Sequence, residues 1–202
     1  FASDGQSVGL AIEAQATNLV TRSEEFDSWA PANSTLHPNA AIAPDGTLSA
    51  DLLTEHYDGT SSLPHYVSSA NITPAVSTSY TFSVYLKSAG RNNALLYTNV
   101  GGVSVYSIFN LSNGTATSTV GSVTNAISPV GNGWYRCSIT WTTTSTAAGY
   151  VRVYTADSDT TFSYTGNGYG SVICWGAQVE TGAASSYIKT TSSQVSRAAD
   201  SC

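Results

Sequence analysis

Seven residues sit two apart on three short runs: Tyr85 and Lys87, Trp134 and Arg136, and Tyr150, Arg152 and Tyr154. In an extended strand that spacing turns each set to one face. Aromatic rings stack on the flat C–H faces of sugars, and arginine meets a carboxylate or sulfate through paired hydrogen bonds. If the three runs share a sheet, these are the groups that hold a polysaccharide, an acidic one by preference. Charge placement agrees with this. Between Thr81 and Thr161 the chain carries Lys87, Arg91, Arg136 and Arg152, against only Asp157 and Asp159 as acids. The same residue types also serve cross-strand packing and protein interfaces, so contact with a neighbouring domain or subunit is the alternative reading.

A second aromatic group falls where turns are expected. His56-Tyr57 and His65-Tyr66 are separated by Asp58-Gly59-Thr60, and Tyr164 and Tyr169 flank a glycine-rich stretch. His56, Tyr57, His65, Tyr66 and Tyr169 are candidate loop contacts, since loops on a rigid scaffold commonly carry recognition. Their plainer role is to anchor those loops. Catalysis is not expected. The central runs hold no pair of carboxylates that could flank a glycosidic bond, and neither a G-x-S-x-G elbow nor a phosphate loop occurs. A polysaccharide lyase using Tyr150, Arg152 and His65 is a minor alternative.

The elements that position these residues are strands. Ser79 to Lys87 alternates Tyr80, Phe82, Val84 and Leu86 with Thr81, Ser83, Tyr85 and Lys87, the period of a half-buried strand. Val103 to Phe109, Trp134 to Trp141 and Tyr150 to Thr155 alternate likewise, and Phe82, Ile139, Trp141 and Trp175 are expected in the core. Turn sequences such as Pro44-Asp45-Gly46, Ser112-Asn113-Gly114 and Gly131-Asn132-Gly133 separate the runs. No stretch sustains a helical apolar period. The pattern predicts an all-β fold, a two-sheet antiparallel β-sandwich of jelly-roll type.

With 202 residues the chain suffices for one domain, and its 10% of charged residues and net charge of -6 argue against a nucleic-acid partner. No apolar run reaches the roughly 20 residues of a membrane helix, so membrane insertion is not expected. Residues 1–15 and 191–202 read as connectors around a sandwich domain over 16–190. The 3 cysteines, Cys137, Cys174 and Cys202, lack metal-ligand spacing. A Cys137–Cys174 bridge requires their strands to be neighbours. Four N-x-S/T sequons, at Asn33, Asn71, Asn110 and Asn113, are what so Ser/Thr/Asn-rich a chain produces by chance.

Several segments in order carry a family resemblance: Gly9-Leu10-Ala11-Ile12-Glu13, Thr17-Asn18-Leu19-Val20, Ser23-Glu24-Glu25-Phe26, Ala43 to Thr47, Tyr80 to Lys87, Gly131 to Ser138, Trp175 to Glu180, and Ser186-Tyr187-Ile188 with Arg197 to Asp200. Together they resemble the jelly-roll domains of bacteriophage tail and virion proteins and of some secreted bacterial proteins, which are similar to non-catalytic carbohydrate-binding modules. The resemblance implies a concanavalin-like sandwich, contact with polysaccharide or a cell-surface glycan, neighbouring virion subunits as further partners, and a virion or extracellular location. It requires no cofactor. It implies a structural calcium as an option, for which Asp27, Glu25 and Glu180 match the acidic positions, although no Asp-x-Asp-x-Asp loop occurs.

Overall fold

Short alternating runs bounded by glycine and asparagine turns become strands throughout. The computed structural model describes residues 12–201, apart from the side chains of Ser118 and Thr119. Its strands in chain order are β1 (Ala16–Asn18), β2 (Ala30–Ala32), β3 (Ser34–Ile42), β4 (Leu48–Glu55), β5 (Leu63–Pro64), β6 (Tyr66–Ser68), β7 (Ser79–Ala89) and β8 (Asn93–Thr98). They continue with β9 (Val105–Asn110), β10 (Thr115–Val120), β11 (Thr124–Gly131), β12 (Trp134–Thr142), β13 (Val151–Ala156), β14 (Ser163–Tyr164), β15 (Ser171–Thr181) and β16 (Val195–Arg197). A 3-10 turn spans Phe26–Ser28.

Two six-stranded antiparallel sheets form the sandwich. The first has the order β11-β12-β7-β15-β4-β3 and the second β10-β9-β8-β13-β6-β2. Alternation on β7 sets the core: Phe82 pairs with Ile139 of β12 and Val179 of β15, and Val84 pairs with Cys137. From the second sheet Ala94, Leu96, Val105, Phe109, Val151 and Val153 close on this layer. Phe82, Leu86, Leu96, Phe109 and Ile139 are fully buried, and each large apolar side chain stabilises the fold by roughly 1.5–3 kcal/mol.

Trp175 departs from the expected core position. It pairs with Tyr85, while Gln178 pairs with Ser83, so β15 carries one extra residue at this point. Gly176 accommodates it at φ 65°. The bulge keeps Trp175, Gln178 and Glu180 outward and Ala177 and Val179 inward. Trp175 is buried all the same, in a separate outer cluster with Trp134, Ala43 and Ala50.

Within the segment read as a C-terminal connector, Val195–Arg197 forms β16, which pairs with β1. Beside it the Asn18 side chain is fully buried and fully bonded: its amide nitrogen donates to the carbonyls of Ala177 (3.0 Å) and Ile188 (2.8 Å). Its oxygen accepts from Val20 and Val179, both at 3.1 Å. The Cys137–Cys174 bridge is excluded by topology. Their strands flank β7, which puts them roughly 10 Å apart, beyond disulfide reach. Both are free buried thiols, and burial pushes their pKa values well up. Cys202 lies outside the described residues, as does the 1–11 part of the N-terminal segment.

Candidate binding faces

Strand β13 turns Val151 and Val153 into the core and Arg152, Tyr154 and Ala156 outward. Its neighbours extend the outward row: Arg152 lies opposite Ser68 of β6 and Tyr97 of β8, and Tyr154 opposite Tyr66 and Leu95. Across β9, Tyr97 pairs with Tyr106 and Leu95 with Ile108. The outer face of the second sheet is therefore paved with Tyr66, Tyr97, Tyr106 and Tyr154. Tyr150 joins from the start of β13, its ring 6.2 Å from that of Tyr97.

Arg152 is the one cation in this pavement. Its guanidinium carbon lies 4.0 Å from the Tyr66 ring centre and 4.1 Å from that of Tyr150, a close cation–π clamp. Nη1 donates to the Tyr154 hydroxyl at 3.1 Å and Nε to Ser68 Oγ at 3.4 Å. Nη2 makes no hydrogen bond among the described residues, and the side chain is only half-buried. No carboxylate among the described residues pairs with this arginine. Burial alone would lower its pKa, but the Tyr154 hydrogen bond and the surrounding phenols outweigh it and raise the value. Burial pushes Tyr154 up to about 12, which keeps its hydroxyl protonated.

Phe162 bounds the face on one side. Its ring packs 5.2 Å from Tyr106 and 5.8 Å from Tyr154, and the underlying Leu95 and Ile108 are sealed. Tyr97, Tyr106 and Phe162 were absent from the sequence-derived set. Alternation in Leu95-Leu96-Tyr97 and in Tyr106-Ser107-Ile108 carries the signal for the two tyrosines.

The seven aromatic and basic residues do not form one surface. Tyr85, Lys87, Trp134 and Arg136 lie on the first sheet, where Arg136 pairs with Tyr85 and Trp134 with Lys87. Tyr150, Arg152 and Tyr154 belong to the second sheet, so the two groups face opposite sides of the sandwich. Alternation gives the correct outward direction for all of them, but it does not reveal which sheet a strand joins. Exposure also differs from the expectation. Trp134 is 3% exposed and Tyr154 5%, because outer-face neighbours cover both rings. On the first sheet Tyr187 folds onto Trp175, their rings 4.6 Å apart, and Tyr85 meets Trp175 at 5.3 Å. Arg136 reaches Ser83 Oγ at 2.9 Å, and its Nε is buried without a partner. This face is mostly occupied by its own side chains, whereas that of Arg152 retains a half-buried cation with no carboxylate partner among the described residues.

The loop residues divide in the same way. His65 is a sealed anchor: Nδ1 lies 2.7 Å from the Asn33 carbonyl and Nε2 3.0 Å from Asp58 Oδ2. It does not join Tyr150 and Arg152, and a substrate cannot reach it, which removes the lyase trio. Tyr66 is part of the Arg152 clamp. His56 is exposed and lies 2.9 Å from Thr35 Oγ1. Tyr57 and Tyr169 are 73% and 75% exposed, on neighbouring loops joined by the Tyr57–Asn167 bridge.

What clamps those loops is a buried carboxylate that sequence reasoning missed. Glu55 accepts Arg91 Nη2 at 2.7 Å and Nε at 2.8 Å, Tyr164 Oη at 2.6 Å and the Asn167 amide at 2.8 Å. Arg91 also reaches Asp157, drawing in the loop that carries Phe162. Burial acts to raise the Glu55 pKa, but these donors outweigh it and hold the carboxyl below its ordinary range. A glutamate closing the apolar strand Leu52-Leu53-Thr54-Glu55, in so charge-poor a chain, is the available signal.

The calcium candidates are not gathered. Glu25 pairs with Arg22, Asp27 is exposed on the 3-10 turn, and Glu180 is buried, accepting from Gln178 and from both the amide and hydroxyl of Ser185. Among the described residues no three His, Cys, Asp or Glu side chains come together as a metal site.

No protein-family model matches the sequence, and no curated protein matches it. The fold has distant likenesses among solved structures. One is the CBM22-1–GH10 modules of Clostridium thermocellum endo-1,4-β-D-xylanase 10B complexed with xylohexaose, with 15% identity and a TM-score of 0.43 over 88% of this chain and 30% of that one. A second is the carbohydrate-binding module CBM6cm-2 of Cellvibrio mixtus lichenase 5A in complex with cellotriose, with 11% identity and a TM-score of 0.41 over 86% and 100%. A third is the C-terminal CBM6 of the Zobellia galactanivorans laminarinase LamC, with 13% identity and a TM-score of 0.39 over 84% and 99%. The chain thus spans less than a third of the first of these.

Proposed function

We propose that this domain is a non-catalytic polysaccharide-binding module that holds an acidic glycan on the outer face of its second sheet. One observation carries the reading: a positive, half-buried guanidinium clamped between Tyr66 and Tyr150, with no carboxylate partner among the described residues. A cation left unpaired in an acidic protein favours an anionic ligand, and the clamp holds it oriented before the ligand arrives. Tyr97 and Tyr106 extend an amphipathic floor beside it, apolar in the ring and hydroxylated at the tip, matching the two kinds of surface a sugar presents. Such contacts are individually weak. In an extracellular or virion setting, as the family resemblance implies, repetition of the module would supply useful attachment.

Affinity electrophoresis in gels containing alginate, polygalacturonate or dextran sulfate tests this. The domain is expected to be retarded in at least one of them, Arg152→Ala to run nearly free, and added salt to release the native protein. Unretarded migration in all three gels, or equal retardation of Arg152→Ala, would overturn it. A stable oligomer in light scattering would then favour the rival role in protein contact.

A further inference from the structure

The chain has 7 lysines and arginines, and four of them are engaged by carboxylates: Arg22 pairs with Glu25, Arg91 with Glu55, Lys189 with Glu24 and Arg197 with Glu13. The other three have no carboxylate partner among the described residues. One is Arg152 on the second sheet. The remaining two, Lys87 and Arg136, stand on the opposite side of the sandwich, both half-buried. They occupy diagonal positions of neighbouring strands, since Lys87 lies opposite Trp134 and Arg136 opposite Tyr85. Strands β7, β11 and β12 contain these two cations and not one acid. Like charges so placed repel, in a protein that has 13 acids with which to separate them.

Nothing that touches Arg136 neutralises it. Nη2 donates to Ser83 Oγ at 2.9 Å, the guanidinium carbon lies 5.5 Å from the Tyr85 ring centre, and Nε is enclosed without a partner. The rings of Trp175 and Tyr187 cover the part of this face beyond Tyr85. Toward the edge strand β11 the face is open, since Ser128 stands opposite Arg136 and Ala126 opposite Ser138, both small and exposed. Lys87 leans away from Arg136 along the strands: its Cε lies against the turn into β12, 3.5 Å from where a Cβ of Gly133 would stand. Gly133 and Arg136 are three residues apart, so the two charges are spread over roughly 10 Å of strand. A single small anion is too short to span them, whereas an extended chain with recurring carboxylates or sulfates meets both. We infer that the outer face of the first sheet holds a second acidic-glycan site, at Lys87 and Arg136, running along β12. On the reading that Arg152 binds the same ligand class, on which this consequence rests, the domain grips two chains, one on each side, and cross-links them.

Titration of the 202-residue chain with hexagalacturonate and with a sulfated hexasaccharide, read by calorimetry and by amide shifts in heteronuclear NMR, separates the two faces and the two anionic groups. With at least one probe, two sites per chain are expected. One shifts the amides of residues 85–88 and 134–138, the other those of 66–68 and 150–154. Lys87→Gln combined with Arg136→Gln is expected to weaken the first site about tenfold or more, and Arg152→Ala to remove the second set of shifts alone. Native protein mixed with long polygalacturonate or dextran sulfate is expected to raise light scattering by cross-linking, and neither single-face variant is expected to do so. The first-sheet site is overturned if neither probe shifts 85–88 and 134–138, or if the glutamine double variant binds at both faces as the native chain does. Shifts at 85–88 and 134–138 with none at 150–154 would instead strike the Arg152 reading, leave this site standing and remove the cross-link. Thermal melting of each variant establishes that it is folded.

Discussion

Arg91 grips the buried carboxylate of Glu55 at two points, 2.7 and 2.8 Å, from the turn that joins β7 to β8. Removing Glu55 leaves the Arg91 guanidinium with the half-exposed Asp157 as its remaining carboxylate partner. Glu55→Ala is expected to cost about 3–5 kcal/mol of stability, as broken buried ion pairs do, measured by urea unfolding. The same pair sets an acid limb. Because the folded-state pKa of Glu55 lies below its ordinary 4.5, its contribution is present above that value and declines as pH falls through the depressed one. Glu55→Gln should flatten this part of the stability profile, and an unchanged acid limb would refute the assignment.

Arg152 should matter for binding far more than for folding. Loss of its charge-assisted contacts is expected to weaken an acidic polysaccharide by about 1.5–3 kcal/mol, roughly tenfold or more, with a much smaller shift in melting temperature. Arg152→Lys should fail to restore binding, since an ammonium offers neither the planar stack between Tyr66 and Tyr150 nor a two-point grip. Full rescue by lysine would show that net charge alone is being read.

Gly166 is held at a place where no side chain fits. An added Cβ would lie 1.9 Å from the His56 carbonyl oxygen and 2.7 Å from His65 Cε1. Since the first of these is backbone, relief requires moving the loop. Gly166→Ala is expected to destabilise the domain by about 1–3 kcal/mol in denaturant titration. It should also raise amide exchange through residues 56–66.

The thiols of Cys137 and Cys174 should be inert in the native state. Both are fully buried, and burial raises their pKa values well above the ordinary thiol range. In Cys202→Ser protein, a disulfide-exchange reagent is expected to report no thiol until denaturant is added and then two. Prompt reaction of either one in native buffer would contradict the packing.

Alternation made much of the fold legible. Phe82, Ile139, Val151 and Val153 face inward as their spacing implies, and Tyr85, Arg136 and Arg152 face outward. The site was legible only in part, because strand parity is a local property and sheet membership a long-range one. Nothing in Trp134-Tyr135-Arg136 or Tyr150-Val151-Arg152 says that the first run pairs with β7 and the second with β8. Covering is equally nonlocal. Trp134 and Tyr154 stand on outer faces yet are sealed by outer-face neighbours, among them a phenylalanine on the 157–162 loop in the case of Tyr154. Glu55 went unread for a related reason: its partners Arg91, Tyr164 and Asn167 are distant from it in the chain.

The extra residue in β15 bears on how relatives of this chain should be aligned. Strict counting by twos through Cys174-Trp175-Gly176-Ala177-Gln178-Val179-Glu180 would send Gln178 and Glu180 to the same side as Cys174, into the hydrocarbon interior. With Gly176 set aside the count is restored. A homologue one residue shorter opposite Gly176 would therefore present the same side chains to the same surfaces, whereas a gap elsewhere along β15 would turn part of the strand inside out.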